Sequence, residues 1–528
     1  MRPGSYFLNS RKFPFRIRNF ISAVFVCLAI GASAFGAGDI QQADSDDFRT
    51  LLKKGEKLAR KGDLVEAEKL LNRAVAANPS HSGAKLKLAL VYLKMRRIRE
   101  AYDISFEIAK NEPGNAEAFA TLGATLLSAG KFPEARKIFY NALKLNRKES
   151  LAWAGVGMLD FYENRIQDSL QNLWQAVFVD PNEPDYMFAL AQVSARAERY
   201  KDAAEAYNRF LAISSDTDTE RRARIRGLIN FLKFLGAKQT LYNTAGADQT
   251  TVDMKLTGNR PIIRLRVNGR DEYLNFVLDT GSGISVISDK TAKRLDIDPI
   301  TRGGYAKGIG GDGRFEIIYG FLKQVEIGSV KVRNIPVYIR HFHNDGIEVD
   351  GYIGLSLISK FLTTIDYGTK TFSLAKKDTA VETALDEAGI SLPLRLTSSG
   401  FLSGEVQLQG VEEPLNFIVD TGASVSVISD DVASLNGVSP FLTTEKMRVI
   451  GSAGITEDVQ SFLLPKVSFG RHSRTSITAI ALNLDMINEA SGFEQAGILG
   501  GNFLRNYRMT FDFKNSKVTF VPVVSETK

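Results

Sequence analysis

Residues 274–290 read LNFVLDTGSGISVISDK and residues 415–431 read LNFIVDTGASVSVISDD, identical at 11 of 17 positions and 141 residues apart. In each copy an apolar run (Phe276-Val277-Leu278, Phe417-Ile418-Val419) carries an aspartate to the end of a buried strand, and Gly281 or Gly422 lets the backbone turn beneath it. A second apolar run, Ile284 to Ile287 or Val425 to Ile428, returns the chain to the core. A charge in such a place carries a desolvation cost that a partner must offset. If the two loops face one another, the carboxylates of Asp279 and Asp420 share one proton, giving one ionised and one protonated acid. The ionised acid draws a proton from a bound water while the other donates to a carbonyl, which is general acid/base hydrolysis without a covalent intermediate. Each loop brings one carboxylate, and this chemistry needs two.

The matching context continues downstream. Gly310 in KGIGGDG and Gly451 in VIGSAG each fall 31 residues after their aspartate, so Ile309, Gly310 and Gly311 in one copy, and Gly451, Ser452 and Ala453 in the other, are candidates for the tip of a hairpin closing over a bound peptide. Tyr352-Ile353-Gly354 and Ile498-Leu499-Gly500 follow, each leading into a short helical stretch and a final strand pair. The copies are not equal beside the acid: Ser282 is able to hydrogen-bond a carboxylate, whereas Ala423 is not, a difference expected to set the two acids' proton affinities apart.

At these residues the chain resembles the retropepsin-like aspartic proteases, in particular their bacterial exported relatives. The resemblance covers 256–376 and 390–523 and implies two mainly-β lobes, with Asp279 and Asp420 as the dyad. It further implies Thr280 and Thr421 as mutual loop-to-loop hydrogen-bonders, Gly281 and Gly422 as backbone formers, and Ile353, Gly354, Leu499 and Gly500 as packing behind the loops. Usual members of the family contribute one loop per subunit and dimerise. Two lobes in one chain imply an internal pseudo-dimer, with pairing of like lobes between chains as the alternative.

Upstream the pattern changes. Ala67, Ala101, Ala135, Ser169 and Ala203 are spaced by 34 residues, as are Pro79 and Pro113. That period belongs to helix-turn-helix repeats. Gly55, Gly123 and Gly157 fall where two helices approach closely, and Leu71, Phe139, Leu173 and Tyr207 fill the groove between them. The pattern resembles five tetratricopeptide repeats, starting near 48, 82, 116, 150 and 184, with Trp153 at the family's tryptophan position and Ala89 and Ala191 in place of the glycine. Within 48–237 the last part, TERRARIRGLINFLKFLG, reads as a capping helix. Residues 238–255 and 377–389 read as linkers, 35–47 as an N-terminal segment and 524–528 as a tail. The expected fold is thus multidomain, an all-α solenoid followed by a pseudo-dimer of β lobes.

The first 34 residues hold a basic stretch RKFPFRIR, an apolar stretch Ile21 to Ile30 and small residues Ala32-Ser33-Ala34, the three parts of a secretory signal. Export to the periplasm or beyond follows, with a membrane anchor as the alternative if the segment is not cleaved. Five bases and no acid lie there, and beyond it 62 bases face 60 acids, a balance that gives no reason to expect nucleic acid as a partner. The only cysteine, Cys27, falls inside this segment, so the processed chain has no thiol nucleophile or disulfide. With four histidines and no H-E-x-x-H, G-x-S-x-G or P-loop, no metal centre and no cofactor is expected. The expected activity is aspartic-type endopeptidase, with the solenoid recruiting a protein substrate or partner. The alternative is a non-catalytic scaffold whose lobes bind peptides.

Overall fold

The computed structural model describes residues 47–238, 240–343, 348–377 and 389–523. The signal segment, nearly all of the expected 377–389 linker and the tail lie outside these. Among the described residues, helices begin at Phe48, Ser82, Ala116, Ser150 and Pro184, each followed by an antiparallel partner, the last ending at Ile213. The 34-residue period is a packing constraint. A Cβ on Gly123 would stand 2.7 Å from the Phe139 ring, so the ring on the second helix of that repeat packs directly on the backbone of the first. Asn115 caps the same helix by accepting from the Ala118 N–H at 3.0 Å. No described helix is long and apolar enough to cross a membrane.

The helix Thr219–Gly236 ends the solenoid as expected, but it also faces the first lobe. Phe231 stacks on Tyr319 with centroids 4.5 Å apart, and Phe234 meets Phe321 edge-on at 5.3 Å. An amphipathic helix with two apolar neighbours has no bare stripe left.

One expectation is corrected here. Residues 238–255 are not a linker. Asn243–Gly246 pairs with Val330–Arg340, and Gln249–Thr257 pairs with both Thr371–Lys376 and Arg260–Val267. The alternation in QTTVDMKLT is that of an ordinary half-buried strand, and its ladder partner lies more than a hundred residues downstream.

The two lobes are joined through strands. Phe361–Asp366 of the first lobe runs antiparallel to Tyr507–Asp512 of the second, from Leu362↔Asp512 to Asp366↔Arg508, so a 14-stranded sheet crosses the lobe boundary. A second sheet of eight strands belongs to the second lobe. One apolar core runs through both, with Phe276, Phe361 and Phe372 from one lobe and Phe417, Phe503 and Phe511 from the other, all fully buried. The lobes therefore pair within one chain.

Candidate active site

In lobe one the strand Leu274–Leu278 lies parallel to Gly351–Ile353, which lies antiparallel to Val286–Ser288. Lobe two repeats this with Leu415–Val419, Gly497–Leu499 and Ser426–Ser429. Each Asp-Thr-Gly is thus the crossing between two strands separated by a third. The Asp279 N–H donates to the Ile353 carbonyl and the Asp420 N–H to the Leu499 carbonyl, both at 3.0 Å. Gly354 and Gly500 stand where a Cβ would come 2.7 Å from the Ser282 carbonyl oxygen and 2.6 Å from that of Val425. These four residues support the loops from behind, where the resemblance put them.

The loops then grip one another. The Thr280 hydroxyl donates to the Val419 carbonyl and the Thr421 hydroxyl to the Leu278 carbonyl, both at 2.6 Å. Each hydroxyl also accepts the other threonine's backbone N–H at 3.1 Å. Both side chains are fully buried, so all four bonds form out of water.

This grip brings the two carboxyl groups together, each against the glycine of the opposite loop. Gly281 donates to Asp279 Oδ1 at 3.0 Å and Gly422 to Asp420 Oδ1 at 2.7 Å. A Cβ on Gly281 would stand 2.3 Å from the Asp420 carboxyl carbon, so only glycine admits the opposite acid. Burial raises both acids above the usual aspartate range, Asp279 well above it because the Asp420 charge adds to the effect. Asp420 is held back by the Asp279 hydrogen bond and by N–H groups of Gly422, Ala423 and Gly281. The pair thus holds one shared proton at a pH where free aspartates are both ionised. The asymmetry does not come from Ser282, as the sequence suggested: its hydroxyl donates to the Ile284 carbonyl at 2.7 Å instead of to a carboxylate. Ala423 contributes through its backbone N–H.

The dyad floors a cleft of about 1170 Å³. Two hairpins roof it, Thr301–Lys307 with Arg314–Ile327 and Leu442–Ile450 with Ile455–Phe469. Their tips clasp. Ala453 donates to the Ile309 carbonyl at 2.8 Å, Gly311 to the Ile455 carbonyl at 3.2 Å, and Ile309 to the Ser452 hydroxyl at 3.1 Å. Ile309, Gly451 and Ser452 line the cleft, while Gly310, Gly311 and Ala453 form the clasp.

Three contributions escaped the sequence reading. Turns 257–260 and 397–401 each rest on the catalytic loop of the opposite lobe. Asn259 donates to the Ser424 carbonyl at 3.0 Å, and a Cβ on Gly283 would stand 2.1 Å from the Ser399 carbonyl oxygen. The glycines Gly258 and Gly400, with φ of 56° and 85°, were the available signal, since they recur 142 residues apart. Met486 and Ile487, on the helix Asp485–Ser491, add an apolar wall. Arg340 lies on the lobe-one wall, and no repeated partner marked it. His341 bonds Asp289 at 3.1 Å, and no group of three metal-ligating side chains stands together among the described residues.

Residues 263–357 and 404–503 match the model of the aspartyl protease family. Residues 58–109 and 157–217 match models of the tetratricopeptide repeat. Among solved structures, a thermophilic tetratricopeptide-repeat protein of Thermus thermophilus is 20% identical with a TM-score of 0.30, over 35% of this chain and 99% of that one. The Cut9-Hcn1 hetero-tetramer of APC/C is 15% identical with a TM-score of 0.30, over 36% and 37%. A MamA RS-1 double mutant is 17% identical with a TM-score of 0.22, over 32% and 95%. A search of the curated proteins finds no match. The paired loops, the two-fold match and the repeats before them together make this chain a tandem of two retropepsin-like aspartyl protease lobes behind a tetratricopeptide solenoid.

Proposed function

We propose that the chain is an exported aspartic endopeptidase. The observation that carries this reading is the pair of buried carboxyl groups of Asp279 and Asp420, each against the glycine of the opposite loop, on the floor of a peptide-sized cleft. In this reading Asp420, the better stabilised anion, takes a proton from the attacking water. Asp279 donates its proton to the carbonyl oxygen of the scissile peptide, and the proton now on Asp420 later serves the leaving amine. The clasped tips exclude bulk water during these steps. Asp279→Asn and Asp420→Asn are each expected to abolish cleavage of a diverse peptide mixture while leaving the circular dichroism spectrum unchanged. Because the pair forms within one chain, mixing the two variants restores nothing; recovered activity would point to sites assembled between chains.

The clasp also favours a second reading, a peptide clamp without turnover, and it is chosen if the unsubstituted protein binds peptides but cuts none. Cleavage after Ala34, read by N-terminal sequencing of the periplasmic fraction, tests export. The solenoid is assigned to a protein substrate or partner. Its concave side is pinched, because Arg60 reaches Asp180 at 3.0 Å and Lys94 reaches Asp185 at 2.7 Å, tying the first two repeats to the end of the fourth and the start of the fifth. On the outer helices Tyr140 and Trp174, one repeat apart, and Phe178 remain exposed.

A further inference from the structure

The two halves of the cleft are built on one plan but lined differently. Val286 and Val427 each fall seven residues after their aspartate. In lobe one Val286 pairs with Tyr338 and Ser288 with Arg340; in lobe two Val427 pairs with Ile480 and Ser429 with Leu482. Arg340 and Leu482 therefore hold equivalent places on opposite sides of the dyad, and both line the cleft. A peptide lying across a pseudo-two-fold site puts side chains equally far from the scissile bond into equivalent places.

Arg340 is poorly matched within the protein. Its guanidinium lies 4.0 Å over the Phe315 ring and donates to the Ser452 carbonyl, both from the hairpins above the cleft. Its Nε is buried without a hydrogen-bond partner, and no carboxylate forms an ion pair with it among the described residues. The nearby Asp350 bonds Arg294 and Thr291, both at 2.8 Å, and Asp289 bonds His341. Around Leu482, by contrast, Met447, Val449, Ile480, Ile487 and Ile498 make an aliphatic wall. Asp279 and Tyr352 act on this guanidinium through space without an ion pair to it, and a carboxylate in the pocket supplies the fork-matched acceptor it lacks.

We propose that this site selects a peptide carrying an aspartate or glutamate in the Arg340 pocket and an aliphatic side chain at the mirror position in the Leu482 pocket. The inference rests on the endopeptidase reading for where the peptide lies. The substrate class is thus an extended segment with an acid on one side of the cut and an aliphatic residue equally far on the other.

The test maps cleavage sites in a random synthetic peptide mixture, then compares two peptides differing only by Glu or Gln at the enriched position. The Glu peptide is expected to be favoured in kcat/KM by roughly tenfold or more, the range a site built for a polar partner reaches. Arg340→Leu should erase that Glu-over-Gln preference whatever its overall rate, and Arg340→Lys should keep part of it. Absence of an acidic position in the unsubstituted enzyme, or its persistence in Arg340→Leu, overturns the proposal. If Arg340→Leu fails to fold, the Glu/Gln pair on the unsubstituted protein still decides. Fluorescence anisotropy of the labelled pair on Asp420→Asn separates the two readings. Equal affinities overturn the charge pocket whether or not anything is cut. Tighter Glu binding, beside an unsubstituted protein that cuts nothing, supports the pocket and sinks hydrolysis instead.

Discussion

Asp279 and Asp420 are held by nearly identical loops, each accepting the N–H of the glycine two residues on. The same burial that tunes the pair has a consequence for stability. Asp279 has a folded pKa raised well above that of the unfolded chain, chiefly by burial and by the Asp420 charge. The stability of the unsubstituted protein is then fully present below the unfolded aspartate value and is lost as pH rises through the folded one. Asp279→Asn removes that loss at the expense of catalysis. Its melting temperature should approach that of the parent near pH 3 and exceed it increasingly toward neutral pH, as the stability difference grows by roughly 1.4 kcal/mol for each unit of the raised pKa. A constant difference across that range would show that the acid is not buried as described. Thr280 acts otherwise. Thr280→Ala deletes two buried hydroxyl bonds and leaves the Val419 carbonyl and the Thr421 N–H without their partner, a cost of about 2–4 kcal/mol. Thr280→Ser keeps the hydroxyl and should recover most of the stability and activity, which thermal melts and peptide turnover measured together would check.

The hairpin tips show how an element's role rests on single backbone positions. Gly310 has a φ of 88°, and a Cβ there would stand 2.2 Å from the Gly454 carbonyl oxygen across the clasp. Gly310→Ala is therefore expected to part the tips without unfolding the lobes, because the clasp lies far from the apolar core. The expected reading is a fall in kcat/KM of roughly tenfold or more with the melting temperature little changed; undiminished turnover would mean that the clasp plays no part in the reaction. These tips were legible because both copies carry glycine at one distance from the aspartate, and the helix starts were legible because a 34-residue period repeats the same close approach. The strand at 243–246 and one edge of 249–257 were not, since they are placed by ladders to residues 330–333 and 371–375; the other edge of 249–257 pairs locally with 260–263. Arg340 escaped for the opposite reason. Comparing copies brings out what they share, and its counterpart is a leucine.

The joining of solenoid and lobes bears on what a truncated protein would do. Phe493 of lobe two is completely buried inside the solenoid's own core, 4.8 Å from the Phe132 ring and 5.0 Å from that of Tyr162. Arg196, at the end of the fifth repeat's first helix, donates to the carbonyls of Thr397 at 2.8 Å and Ser398 at 3.0 Å. Those residues open the turn whose Ser399 rests on Gly283 of the catalytic loop, so the solenoid touches the dyad's support at one remove. At the other end, Glu220 of the capping helix pairs with Arg314 in the first roofing hairpin at 2.5 Å. A recruiting arm on a flexible tether would show none of these contacts, and its removal would leave short-peptide cleavage intact. Here deletion of 47–237 strips the cover from Phe493, Tyr319 and Phe321 together and frees the 397–401 turn. The shortened protein is expected to aggregate or to lose turnover of short peptides as well as of proteins. Phe493→Ala in the full chain isolates the packing part, at about 3–5 kcal/mol in denaturant unfolding. Arg196→Ala isolates the other part: kcat for short peptides should fall several-fold while KM and the solenoid's helical signal stay near their original values. Full turnover by the shortened protein would return the solenoid to the role of a detachable arm.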